Sequence, residues 1–119
     1  MQFPMQKILT WHPLGKPGFY LPEKDYDVVR NFILSALGSA QMSLVELIAL
    51  GERQLAGQIK DKIGWHILVV KLDLEARGIV VSFLKPVPFR SQCLKLNRRI
   101  ARQILLNGAG SIANQQSVK

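Results

Sequence analysis

The chain has 119 residues, 48% of them hydrophobic, a formal net charge of +8 and a single cysteine. This length suits one domain with a core of its own, and the lone Cys93 excludes an internal disulfide and favours a reducing, cytoplasmic setting. No apolar run approaches the ~18 residues that a membrane span needs, and the segment Met1–Gly15 lacks the sustained apolar stretch of a secretory signal.

Residues 1–22 are predicted to form an extended N-terminal arm, because Pro4, Pro13, Pro17 and Pro22 with Gly15 and Gly18 exclude a long helix. Trp11, Phe19, Tyr20 and Leu21, within TWHPLGKPGFYL, are too apolar to be left in water. The arm is therefore expected to pack on the domain or on a partner chain.

A helix is predicted over residues 24–37, where Tyr26, Val29, Ile33, Ala36 and Leu37 recur at helical spacing, with Asp25 as its cap and Gly38 at its end. Met42 then starts a short strand. Ser43 and Glu46 have the spacing of a capping box for a second helix, with Leu44, Leu47, Ile48 and Leu55 on its apolar face and Gly57 as its stop. Asp61 is expected to cap a third helix, Lys62 to Arg77, which Gly78 terminates.

Ile79 to Leu84 (IVVSFL) and Phe89 to Leu96 (FRSQCLKL) read as two strands joined by the proline-rich loop Lys85 to Pro88. Asn97 begins a last helix, NRRIARQILL, followed by a small, polar tail expected to be mobile. The order is helix, short strand, helix, helix and hairpin. It predicts an α+β, mainly α fold: a winged helix at 23–96, the arm at 1–22, and a basic C-terminal helix and tail at 97–119.

On a helical wheel Ile63, Ile67, Val70 and Leu74 of the third helix fall on one side, and Trp65, Leu68, Val69, Leu72 and Ala76 on the other. Two narrow, mostly polar seams separate them, one with Lys71 and Glu75, the other with His66, Asp73 and Arg77. Each seam allows an ion pair at four-residue spacing. A helix apolar on both sides is expected to be buried on both. Trp65, Leu68 and Leu72 are thus candidates for an interface with the arm, the hairpin, the last helix or a second subunit.

That pattern argues against base reading along the whole helix, because base edges are read chiefly by Arg, Lys, Asn and Gln. Lys60, Lys62 and His66, at the helix start, are the candidates for approaching a groove. The charge surplus lies elsewhere. All eight acids fall between Glu23 and Glu75, and the eight bases of residues 1–75 balance them. The remaining eight bases, among them Lys85, Arg90, Lys95, Arg98, Arg99 and Arg102, have no acid among them. A one-sided surplus of this kind is a footprint for a polyanion.

No active site is legible. His12 and His66 lie far apart with no cluster of metal-ligand spacing, Cys93 sits in a predicted strand, and GKPG lacks the ending and context of a phosphate loop. No cofactor, membrane contact or small-molecule ligand is expected.

GWHILVVKLDLEARGIV, with WHP and GKPG upstream, resembles a family of small, uncharacterised bacterial winged-helix proteins over roughly residues 8 to 96. Its most specific part is GWH followed by VKLDLEARG. The LEARGIV portion is similar to a segment found in many winged-helix transcription regulators. The resemblance implies the fold and no activity. The sequence expectation is therefore a non-enzymatic regulator that binds double-stranded DNA as a homodimer. The alternative is a winged-helix interaction or dimerisation module that binds no DNA.

Overall fold

The N-terminal segment folds back on itself. In a computed structural model of the chain, which describes residues 6–86 and 91–100, β1 (Lys7–Leu9) pairs antiparallel with β2 (Tyr20–Pro22). Ile8 stands opposite Leu21 and Leu9 opposite Tyr20. Side chains alternate along a strand, so Leu21 is buried and Ile8 packs against the core, while Leu9 and Tyr20 are exposed.

α1 (Glu23–Ser39) buries Tyr26, Val29, Phe32, Ile33 and Leu37, the stripe that the spacing predicts. Its ends differ from expectation. Pro22 holds the N-cap position with no side-chain cap, and Asp25 lies inside the first turn, where its charge favours the helix dipole. Gly38 lies within the helix rather than beyond it. The helix stops where Ala40 turns to extended backbone, because the chain must enter β3 (Met42–Ser43) almost at once.

α2 (Leu44–Gln54) begins with the predicted capping box. The Glu46 N–H donates to Ser43 Oγ at 3.0 Å and the Ser43 N–H donates to Glu46 Oε1 at 2.9 Å. The Ser43 backbone N–H, and then the Ser43 side chain, hold the Glu46 carboxyl below its usual range. The helix ends before Gly57, which instead makes the following turn at φ +89°. At Gly51 a side chain would collide with Ile67, so the absence of a Cβ lets α2 sit close to the next helix.

That helix is α3 (Ile63–Ala76). Its expected cap, Asp61, is not used. Lys62 takes the N-cap position in a left-handed conformation, φ 54°, and its carbonyl accepts both the His66 backbone N–H at 3.0 Å and the His66 ring Nδ1–H at 2.9 Å. The far end follows the sequence. Gly78, at φ +78°, donates its N–H to the Glu75 carbonyl at 3.0 Å, and the Ile79 N–H reaches the Leu74 carbonyl at 2.9 Å. This pair of bonds is a Schellman motif, which satisfies the last carbonyls and turns the chain toward the sheet.

β4 (Val80–Lys85) and β5 (Ser91–Leu96) form an antiparallel pair, with Val80 opposite Leu96 and Lys85 opposite Ser91. β3 joins the other edge of β5, giving the order β3-β5-β4. Val80 and Leu94 face inward onto a core built from Val29, Ile33, Leu47, Ile67, Val70 and Leu74. Each such side chain contributes roughly 1.5–3 kcal/mol on burial. The molecule is α+β, as expected. Arg90, Arg102, most of the predicted last helix and the tail lie outside the described residues.

Candidate nucleic-acid interface and the seams of the third helix

The seam of α3 that carries His66, Asp73 and Arg77 is not open to solvent along its length. The arm covers it. Asp73 is 0% exposed, and its carboxylate accepts three hydrogen bonds. The Trp11 backbone N–H donates to Oδ1 at 2.8 Å, while the Tyr26 hydroxyl and the Arg77 Nε–H (2.8 Å) donate to Oδ2. Arg77 also lies over the Trp11 ring, 4.2 Å from its centroid. One buried carboxylate thus ties the arm to α1 and α3.

The same geometry sets the protonation states. Burial, and then the bond to Asp73, push the Tyr26 phenol well above the tyrosine range, so it remains a neutral donor. Burial works to lower Arg77, but the Asp73 carboxylate outweighs it and holds the guanidinium above its ordinary value.

The arm is itself internally braced. The Thr10 N–H donates to the Phe19 carbonyl at 2.9 Å, and the Phe19 N–H donates to Thr10 Oγ1 at 2.9 Å. Gly18 lies so close to the Thr10 backbone that any Cβ would collide with it. The loop between these residues borders an open cleft of about 500 Å³, lined by Trp11, His12, Lys16 and Ala76 among others.

The opposite seam is also closed. Lys71 is 3% exposed and pairs with Glu75 at 2.8 Å. On the first seam His66, a candidate DNA contact on sequence grounds, is 9% exposed with its ring bonded to the Lys62 carbonyl. The polar side chains of α3 are therefore spent inside the molecule. The wheel predicts both ion pairs. It cannot show that the arm and the rest of the fold close over the seams.

The exposed basic residues are those around the helix. Lys60 and Lys62 lie on the surface of the turn before α3. Lys85 and Lys95 are exposed on the hairpin, and strand alternation with the observed register puts them on one face. Lys95 Nζ lies 5.3 Å from the centre of the Phe83 ring. Arg98 and Arg99 follow directly, exposed in helical backbone. Among the described residues the two ion pairs are those on α3, and neither takes a base of this group.

Of the apolar candidates, Leu72 is half-buried, and Trp65 and Leu68 are each 38% exposed. Val69, on the same side, is buried. Phe19 meets Trp65 edge to face with ring centres 5.3 Å apart, so the arm supplies part of the cover expected for this side. Cys93 is buried in β5. Sequence reasoning missed the central role of Asp73. Its only signal was four-residue spacing to Arg77, since the donors Trp11 and Tyr26 are remote in the chain.

Among the described residues no three His, Cys, Asp or Glu side chains gather where they could hold a metal ion, and no helix is long and apolar enough to cross a membrane. The fold and surface define a small α+β protein with a strapped central helix and a basic hairpin. The chain belongs to DUF6958, a family of unknown function, whose pattern matches residues 7–88. The match takes in the arm, α1 to α3 and β4, while β5 and the arginines after it lie beyond it. No curated protein matches the chain.

Proposed function

We propose that this is a winged-helix protein that binds double-stranded DNA as a homodimer through the phosphate backbone, with a non-enzymatic role in gene regulation. The element order and the sheet order β3-β5-β4 support the winged-helix reading, with β4 and β5 as the wing. The observation that carries the DNA reading is the exposed basic set Lys85, Lys95, Arg98 and Arg99 in a region of the chain that has no acid. Lys60 and Lys62 add charge at the start of α3. The buried polar side chains of α3 argue for sequence-tolerant contact with phosphates rather than for readout of bases.

Titration of a fluorescently labelled random duplex at several salt concentrations tests this. Five or six phosphate contacts give a slope of about −4 to −6 in log K against log salt. An absence of binding at low salt would sink the proposal. The exposed apolar side chains Trp65 and Leu68 favour a second reading, an interaction module without DNA binding. That module would self-associate normally and fail the same titration.

A further inference from the structure

The sheet order β3-β5-β4 leaves β4 with one open edge among the described residues. The ladder shows which backbone groups lie on it. The Asn97 N–H donates to the Ile79 carbonyl, and the register carries that pairing on to Val80 with Leu96 and Val81 with Lys95. Hydrogen-bonded pairs alternate with non-bonded ones along an antiparallel ladder. Val81, Phe83 and Lys85 therefore bond to β5, while the N–H and C=O groups of Val80, Ser82 and Leu84 point away from it, to the open edge. Sheet edges are ordinarily blunted by shortness, a proline, a bulge or an inward charge. β1 and β2 have three residues each and β3 two, so shortness guards their edges. β4 has six residues, no proline and an unbroken register with β5, and its one charge, Lys85, stands at its end. Leu84 is 57% exposed and Val81 38%. An edge of this length and apolarity is a template for a further strand.

We infer that this edge pairs antiparallel with the same edge of a second copy of the chain, joining two three-stranded sheets into one. The inference rests on the homodimer of the reading above and gives that dimer its contact. The occupant follows from self-complementarity. With a two-fold axis at Ser82, the strand Val80–Leu84 overlaps its own copy over its whole length. Ser82 then stands opposite Ser82 of the second copy, and Val80 opposite Leu84. The outward groups meet in bonded pairs, about six main-chain hydrogen bonds in all. On the other face Val81 stands opposite Phe83, so the exposed Val81 and Leu84 each gain an apolar neighbour across the new strand pair.

The exposed lysines beside the edge, Lys85 and Lys95, do not oppose this pairing. Strand rise and spacing put Lys95 of one copy roughly 12 Å from Lys85 of the other, beyond the ~8 Å over which physiological salt leaves surface charges unscreened. The two-fold axis runs perpendicular to the sheet, so it keeps side chains on their own face. Lys85 and Lys95 share a face in one copy, and the pairing adds the same two residues of the second copy to that face. A duplex laid on the joined sheet meets both sets of wing bases at once.

The test is the mass of the full chain by light scattering after size exclusion. The wild type is expected at twice 13.4 kDa. Ser82→Pro removes an N–H on the open edge and none of the bonds to β5, so it is expected at 13.4 kDa with an unchanged circular dichroism spectrum. Ser82→Lys and Ser82→Glu test the axis itself. Each alone sets like charges directly opposite and is expected to be monomeric, and mixing the two is expected to restore the dimer. This pair decides the matter if the proline variant does not fold. A monomeric wild type overturns the inference, and so does a dimer that survives these substitutions. Duplex binding is read separately. A dimer that binds no DNA fails the functional reading and leaves this one standing, and a monomer that binds DNA does the reverse.

Discussion

Asp73 is a fully buried carboxylate whose three donors come from three segments of the chain. Its dependence on Tyr26 has a pH signature. The phenol titrates near 10.0 in the unfolded chain and well above that in the folded protein. The folded state therefore holds the proton more tightly. This contribution to stability is complete below about pH 10 and is lost as the pH rises above it. Tyr26→Phe is expected to cost about 1.5–3 kcal/mol at neutral pH, the usual worth of a hydrogen bond to a charged group. Its stability should then fall less steeply than that of the wild type above pH 10, as urea melts at several pH values would show.

Gly18 offers a second residue-scale prediction. A Cβ there meets the Thr10 backbone, which has no flexible end to move aside. Gly18→Ala should open the base of the loop, weaken the Phe19–Trp65 contact and change tryptophan fluorescence. The core residues of α1 and α3 lie elsewhere, so helical content should hold. A variant with wild-type fluorescence would contradict the close packing.

At the scale of elements, the ends of helices divide into two kinds. The α2 capping box and the α3 Schellman motif are local, each closed by residues within a few positions, and both are legible from residue type and spacing. Gly78→Ala tests the second. It places a Cβ at φ +78° with nothing within 4 Å, so its penalty is backbone strain alone, about 1–2 kcal/mol. Thermal denaturation would measure it, and an unchanged midpoint would contradict the conformation.

The starts of α1 and α3 are of the other kind. Asp25 and Asp61 have the right chemistry for caps, but the chain direction entering each helix comes from β2 and from the turn after α2. Pro22 and Lys62 occupy the cap positions for that reason.

For the whole molecule, the charge distribution and the packing of α3 act together. The polar groups of α3 hold the fold closed, and the exposed bases of the proposed interface lie on the β4–β5 hairpin, just after it and in the turn before α3. Binding through those bases should respond to charge more than to DNA sequence. Arg98→Glu with Arg99→Glu is expected to abolish duplex binding while leaving the mass of the assembly unchanged. Retained binding, with the wild-type salt slope, would rule out these two arginines as phosphate contacts.

Helix stripes, strand alternation, turn glycines and the asymmetry of charge are one-dimensional patterns. The sequence by itself therefore determined the α+β class, the order of the elements from α1 to β5, the capping box, the Gly78 stop and the pairing partners on α3. It also showed that α3 is apolar on two sides. Only the tertiary structure decided what covers those sides. The arm returns across more than sixty positions of chain so that Trp11 can meet Asp73. No local pattern encodes that distance. It follows from the need to give a buried carboxylate its donors while covering apolar surface, and both requirements are met only in three dimensions.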